Sequence, residues 1–249
     1  MFNSQLAESC LEPAAQSGHQ LLLVPAVAGF GLIVAHSLYT RGWRDTLWLL
    51  LPILFFGYLR ESPGGQDSEY LFSGNLGPKL GYVPLIIPIG WAFACYIGLC
   101  VAERVVAASE RFRGNLFAVT AALMWTVLFI SMCVEVTGAR AGWWFWQYSV
   151  IHDDLWIYCT PKFVMMNWAF TSLCYCLPFL LMRIPRFQGS PTRYLFLLIY
   201  LYPFLGRPLL GPIFNVIVLI TLILFMCVLP FKARLDMEPA NDEPADPLV

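Results

Sequence analysis

The chain of 249 residues is 59% hydrophobic and only 12% charged, with a formal net charge of −1 at pH 7 and a mean hydropathy of +0.66. Because soluble domains carry about a quarter charged residues, this composition excludes an ordinary soluble globular protein. The apolar residues form continuous runs long enough to cross about 30 Å of hydrocarbon as helices, without the alternation of a β-barrel. We therefore predict an all-α, polytopic membrane helical bundle, a multi-pass protein of the cell (inner) membrane.

Seven apolar runs predict about seven transmembrane helices. In chain order they cover residues 20–39, 45–59, 82–102, 115–136, 160–182, 192–206 and 209–230. The sixth run is short and lies between Pro191 and Pro208, so the alternative is a re-entrant hairpin made by the last two runs. We expect an N-terminal extension over 1–19, a transmembrane domain over 20–232 and a disordered, acidic cytoplasmic tail over 233–249.

Basic residues are divided unevenly between the two sides of the predicted bundle. Segments 40–44, 103–114 and 183–193, with the tail, hold ten of the 15 lysines and arginines, and the opposite side holds five. This bias predicts that the C-terminus is cytoplasmic and the N-terminus outside. The first 19 residues contain no lysine or arginine. They lack the positive region of a signal peptide, so we expect the first apolar run to be retained as a span.

The eight cysteines and three histidines show no metal-binding spacing. Most of the cysteines lie within predicted spans and form no CxxC pattern, so we expect them to be small packing residues. No lysine lies in the middle of a span, which argues against a retinal-type Schiff base, and no nucleotide-binding glycine motif is present. We expect no cofactor, no metal and no nucleic-acid partner, and the sequence leaves the oligomeric state open.

Acidic side chains near hydrocarbon are costly, so acids that fall there are candidates for function. On the predicted outer side, Glu61 ends the second span and Glu135 ends the fourth. Asp67 and Glu69 lie in the connection that follows the second span. We interpret these four residues as a set of catalytic candidates.

Glu135 follows a long apolar run and precedes the aromatic segment GWWFWQY. We expect its carboxyl group to be partly desolvated, which favours the protonated form and makes it a usable acid. The alternatives are structural: Glu135 pairs with Arg140 beside an ordinary aromatic belt, and Glu61 forms an interfacial ion pair with Arg60. The acids of the opposite side are expected to be solvated or paired with arginines: Asp45, Glu103 and Glu110.

Three stretches resemble one family. Residues 70–91, YLFSGNLGPKLGYVPLIIPIGW, are similar to a segment that reads approximately Y-x-Y-T-x-x-L-G-P-x-L-x-G-V-P-x-x-I-P-x-x-W. EVT at 135–137, followed by GWWFW at 142–146, resembles D-P-V-A followed by G-x-W-x-W. YCTP at 158–161, with Trp168 beyond it, resembles Y-x-G-[IV]-P-x-x-N-x-x-G-W. The segments that they resemble are those of the carotenoid biosynthesis membrane proteins, which include carotenoid 1,2-hydratases of the bisanhydrobacterioruberin and γ-carotene type.

The chain departs from the family pattern at four positions. Glu135 stands in place of an aspartate and Val136 in place of a proline, while Val164 and Asn167 replace an asparagine and a glycine. The resemblance implies hydration of an isoprenoid double bond, which needs a proton donor, a means to tolerate a tertiary cation, and a positioned water. Acids supply the proton. Aromatic faces attract the cation by about 2 kcal/mol or more each when desolvated.

On this interpretation Glu135 and Glu69 are the preferred acids, followed by Glu61, and Asp67 orients water. The partners are a lipophilic isoprenoid or carotenoid substrate and membrane lipids. The side chains expected to bind the substrate are Tyr70, Phe72, Trp91, Trp143, Trp144, Trp146, Tyr158, Asn167 and Trp168.

The glycine-rich connection before the third span is expected to form a structured mouth of the site. Gly74, Gly77 and Gly81 permit tight turns, and Pro78 and Pro84 direct the chain into the span. Non-helical backbone at that depth is tolerated only against protein or a wet cavity. The alternative is a rigid loop whose prolines merely set the direction of the helix.

Two other functions stay open. An integral-membrane terpene cyclase uses the same first protonation, but an internal alkene traps the cation in place of water. Val164, apolar where the family has asparagine, favours that alternative. The chain could also be a non-catalytic membrane protein that binds an isoprenoid or a lipid.

Overall fold

The computed structural model describes residues 20–66, 70–72, 76–146, 156–157 and 160–187, together with Pro191, Tyr194, Ile199 and Tyr200. Its helices are α1 (Gln20–Gln66), α2 (Ile86–Ala107), α3 (Leu116–Arg140) and α4 (Lys162–Met182). Each contains a stretch long and apolar enough to cross a membrane. The prediction of a mostly helical chain with helices able to span a membrane is confirmed. The described residues contain four such helices and do not support the count of seven.

The first helix is not one straight rod. Gly42 has φ 76° and ψ 170°, and the Ser37 and Thr46 hydroxyl oxygens lie 2.9 Å apart. Nine residues of straight helix span about 13 Å, so this hydrogen bond requires the chain to reverse at Gly42. Residues 20–41 and 43–66 therefore run antiparallel. They correspond to the first two predicted spans, with the turn inside the predicted connection 40–44.

Both halves of α1 pack on α2 through glycines. A Cβ at Gly29 would lie 3.1 Å from the Phe93 ring, and a Cβ at Gly57 would lie 3.3 Å from Trp91 Cβ. Helix α3 packs against α2, and α4 packs against α3. Side chains 171–181 of α4 are buried without a break, which places α4 centrally. Fully buried apolar side chains fill the interior, among them Leu49, Ile53, Leu99, Leu123, Leu177 and Phe179.

The bundle has two chemically different ends. At one end, Glu103 of α2 lies between Arg41 and Arg183, and we call it the arginine end. At the other, which we call the acid end, Glu61 and Glu135 are buried. The chain passes from the arginine end to the acid end in residues 43–66 and again in α3.

Three short strand pairs lie in the connections at the acid end, where only loops were expected. Strand β1 (Tyr70–Phe72) is antiparallel to β4 (Trp144–Trp146), with Phe72 opposite Trp144. β2 (Lys79–Leu80) pairs with β3 (Val83–Pro84), and β5 (Trp156–Ile157) pairs with β6 (Thr160–Pro161). A short 3-10 helix, Pro185–Phe187, follows α4 at the arginine end. The strands bring segments of the three motif stretches to the same end.

The glycine-rich connection contains the predicted tight turns. Gly77 and Gly81 have φ values of 89° and 60°, in the left-handed region that glycine adopts most readily, which confirms the predicted turns at these two positions. Gly74 lies outside the described residues. The Leu85 amide donates to the Pro78 carbonyl at 2.9 Å, closing the segment. Because the β2–β3 pair extends through Pro84, the helix begins at Ile86, later than the predicted start at residue 82.

Candidate active site

A stacked pair of tryptophans lies at the centre of the acid end. Trp91 of α2 and Trp168 of α4 have ring centroids 4.4 Å apart and planes inclined by 29°. The Trp91 Nε1–H donates to Glu61 Oε1 at 2.9 Å, and the Trp168 Nε1–H donates to Glu135 Oε1 at 2.7 Å. Two stacked indoles therefore hold two carboxyl groups, which come from different helices of the bundle.

The helical period of α3 places Glu135 inside the bundle. The buried positions of this helix recur every three or four residues, which is the pattern of a single packed face. They are Leu116, Val119, Thr120, Leu123, Val127, Ser131, Glu135 and Gly138. Trp125 and Phe129 are exposed on another face. Glu135 thus points away from the apolar surface that the helix presents to its surroundings.

The carboxyl group of Glu135 is only partly bonded. Its side chain is 5% exposed, and its Oε2 atom makes no hydrogen bond to any described residue. The buried Trp144 Nε1–H likewise has no hydrogen-bond acceptor among the described residues. Buried polar atoms without partners are rare in native proteins, and they often mark a place where a ligand or water completes the bonding.

Glu61 lies in a different electrostatic setting. Its Oε1 atom is 3.5 Å from Arg60 Nε, so the ion pair given as its alternative role is present. The Arg60 guanidinium carbon lies 5.2 Å from the Trp91 ring centroid, and the same side chain donates to the Thr171 hydroxyl. The positive charge is therefore on the Trp91 side of the indole stack.

A second aromatic cluster covers the Glu135 side of the stack. Trp144, Trp146 and Val164 are buried together, and Phe72, Trp143 and Trp168 pack against them with Ile87 and Val134. Gly138 makes this arrangement possible, because a Cβ there would lie 2.3 Å from Trp144 Cη2. Glu135 and Gly138 are three residues apart and share a face of α3, so the indole lies next to the carboxyl group.

The structure brings most of the described candidates together. Glu61 and Glu135 are buried at the same end with the predicted aromatic residues Phe72, Trp91, Trp144 and Trp168. Asn167 is half-buried beside Trp168 in α4, and strand β1 includes Tyr70. Asp67, Glu69 and Tyr158 lie outside the described residues.

Sequence reasoning missed three contributors. Arg60 was considered only as the ion-pair partner of Glu61, without its contacts to Trp91 and Thr171, and Thr171 and Gly138 were not considered. The helical period offered a signal for Gly138, which lies one turn beyond Glu135 on the buried stripe. The pairing of Arg60 with Thr171 joins residues 111 positions apart, and no local pattern indicates it.

Within the described ranges, no group of three or more His, Cys, Asp or Glu side chains is arranged to hold a metal ion. The acid end instead offers carboxyl groups, indole N–H donors and aromatic faces. These groups can donate a proton, orient a polar molecule and stabilise positive charge.

No family model, no curated protein and no solved structure matches the chain. The resemblance to carotenoid biosynthesis membrane proteins therefore depends on the three motif stretches alone.

Proposed function

We propose that this protein is a membrane enzyme of carotenoid or isoprenoid biosynthesis that protonates an alkene and adds water to the resulting tertiary cation. One observation carries the proposal: two buried glutamates are held by the N–H groups of two stacked tryptophans. We also propose that the chain crosses the cell membrane about seven times, with the N-terminus outside and the arginine end on the cytoplasmic side.

In this mechanism Glu135 is the acid. Trp168 occupies Oε1, so Oε2 is the oxygen that carries the transferred proton. The proton moves to one alkene carbon, forming a C–H bond and leaving a cation on the other. A water oxygen then forms the C–O bond. The surplus proton of that water returns to the Glu135 carboxylate, which restores the acid.

In this proposal the cation forms on the Glu135 side of the stack, and the charge distribution supports that choice. Arg60 lies over Trp91, and its positive charge would repel a cation placed there. Trp144 and Trp146 offer π faces on the other side, without nucleophilic atoms that would capture the cation. In this proposal Glu61, paired with Arg60, positions Trp91 and through it the stack.

A terpene cyclase is the second candidate, and one observation favours it. Val164, which is 6% exposed, packs against Trp144 and Trp146, so the position has no polar group to hold a water. A drier pocket would let an internal alkene capture the cation. Product mass separates the two reactions, because hydration adds one water and cyclisation leaves the mass unchanged.

The central experiment replaces Glu135 with glutamine in a host that makes an acyclic polyene. General acid catalysis contributes about 10²- to 10⁴-fold, so Glu135→Gln should leave the polyene unconverted at normal protein level. Glu110→Gln, which changes an exposed residue in the turn between α2 and α3, is the matched control and should convert the polyene like the wild type.

Equal product from Glu135→Gln and wild type would remove Glu135 from the mechanism. Recovery of a bound isoprenoid of unchanged mass from the wild-type protein, with no product formed, would instead favour the non-catalytic binding function.

A further inference from the structure

The acid end contains a buried hydroxyl group that the proton transfer from Glu135 does not use. Thr160 of β6 is fully buried, and its Oγ1 atom has no hydrogen-bond partner within the described ranges. Glu135 Oε2 and Trp144 Nε1 at this end share that condition. A buried polar group without a partner is costly. One small polar ligand that bonded all three groups would remove three such costs together.

The packing of α3 against α4 places Thr160 level with Glu135. The two helices are antiparallel, and the Ser131 hydroxyl donates to the Met165 carbonyl oxygen at 3.5 Å. Glu135 lies four residues beyond Ser131 towards the acid end, and Pro161 lies four residues before Met165 in the same direction. Each of these steps covers about 6 Å. Strand β6, which contains Thr160, also packs against α3.

The indole of Trp144 reaches the same part of α3. A Cβ at Gly138 would lie 2.3 Å from Trp144 Cζ2 and 2.9 Å from its Cε2. Cε2 is the ring carbon bonded to Nε1, so the N–H side of the indole lies against α3, one turn from Glu135. Polar groups from α3, β4 and β6 are therefore gathered at one level of the bundle.

These three groups match the hydrogen bonds of one water molecule. An indole N–H only donates, a hydroxyl donates or accepts, and a carboxylate only accepts. A water between them accepts from Trp144, donates one hydrogen to Thr160 Oγ1 and donates the other to Glu135 Oε2. Three bonds are usual for a buried water. One lone pair of the water oxygen stays free, and this is the electron pair that a carbocation captures.

We propose that Thr160 and Trp144 bind the water that captures the cation, an inference that rests on the proposed hydration. After Glu135 has given its proton to the alkene, the free lone pair of the water forms the C–O bond. The O–H bond that points at Glu135 Oε2 then breaks, and its proton restores the acid. Thr160 and Trp144 keep their own protons. Thr160 supplies the polar group that Val164, four residues further on, does not offer.

The test measures how the converted polyene is divided between products in the host that makes an acyclic polyene. Thr160→Val replaces the hydroxyl with a methyl group of similar size. It should lower the ratio of hydrated product to products of unchanged mass by about tenfold, the value of one hydrogen bond. The polyene should still be consumed, because Glu135 and Trp168 are unchanged.

Two further variants separate the hydroxyl from the fold around it. Thr160→Ser keeps a hydroxyl and should keep the wild-type ratio. Thr126→Val is the matched control, because the half-buried Thr126 hydroxyl already donates to the Ala122 carbonyl at 2.8 Å. An unchanged ratio in Thr160→Val would overturn the proposal. If Thr160→Val does not accumulate, Trp144→Phe removes the other ligand of the water, and the same ratio decides.

An infrared measurement separates this inference from the proposed hydration. The carboxyl band of Glu135 is the band that Glu135→Gln lacks, recorded for the full chain in non-ionic detergent without polyene. Loss of the bound water should shift this band in Thr160→Val and leave it in place in Thr126→Val. A wild type that converts no polyene would refute the hydratase, while a shifted band would still show the water. An unshifted band would refute the water site even where hydrated product forms.

Discussion

Each tryptophan of the stacked pair combines two interactions in one side chain. The ring face of Trp168 packs on Trp91, and its edge donates to Glu135. Aromatic pairs contribute about 0.5–1.5 kcal/mol beyond their buried area, and a hydrogen bond to a neutral carboxyl group contributes about 0.5–1.5 kcal/mol. The orientation of the carboxyl group therefore depends on an indole that is itself held by another indole.

Replacing Trp168 with phenylalanine separates the two interactions. Phenylalanine keeps an aromatic face for Trp91 but has no N–H for Glu135. We expect about tenfold less product per unit of protein, because the acid loses the bond that orients it. Trp125→Phe, at a 73% exposed position of α3, is the control. If both variants form product at the same rate, the Trp168 N–H has no part in catalysis.

Gly138 leaves the space that the Trp144 indole occupies. Alanine there would bring a Cβ to 2.3 Å from two atoms of the indole, so the ring must move. We expect a loss of about 1–3 kcal/mol in the free energy of unfolding, measured by denaturation in mixed micelles, together with lower activity. Gly90→Ala has no heavy atom within 4 Å of the new Cβ and should cause no loss. Equal stability of the two variants would contradict this packing.

At the scale of elements, α1 is a helical hairpin whose halves meet at Gly42. The two apolar runs on either side of GWR predicted separate spans, and the basic residues between them predicted a connection. What was not predictable is that the turn is this short. It depends on a backbone conformation that only glycine adopts readily, and on the hydrogen bond between Ser37 and Thr46.

Alanine at Gly42 tests the turn. Its φ of 76° with ψ of 170° lies in a region that is nearly exclusive to glycine, and holding another residue there costs about 1–3 kcal/mol. We expect Gly42→Ala to lower the free energy of unfolding by that amount. Gly31→Ala, in the same helix with open space around its new Cβ, should have no such effect. A chain that tolerates both changes equally would argue against the reversal at Gly42.

At the scale of the whole molecule, the ion pairs and the buried carboxyl groups of the described residues lie at the two ends of the bundle. The acid end combines two glutamates with indoles, and the arginine end surrounds one glutamate with two arginines. Glu103 was expected to be solvated or paired with arginines, and it is paired with two of them. Arg41 belongs to α1 and Arg183 caps the end of α4, so Glu103 links three helices at this end.

Glu103→Gln tests that junction. Removing the carboxylate leaves Arg41 and Arg183 facing each other, and breaking a buried ion pair costs about 3–5 kcal/mol. We expect a loss of that order in the free energy of unfolding. The exposed Glu110→Gln should change it by less than about 0.5 kcal/mol. A loss of the same size in both variants would show that the arginine end does not hold the helices together.

The sequence by itself determined the class of molecule and the existence of its apolar helices, because hydrophobicity and helical length are local properties of the chain. It also placed Glu61 and Glu135 near the ends of spans and identified the aromatic residues around them. The tertiary structure alone decided which indole N–H donates to which carboxyl group and which arginines form ion pairs with Glu103. Those pairings join residues dozens of positions apart, and their geometry depends on how the helices pack side by side.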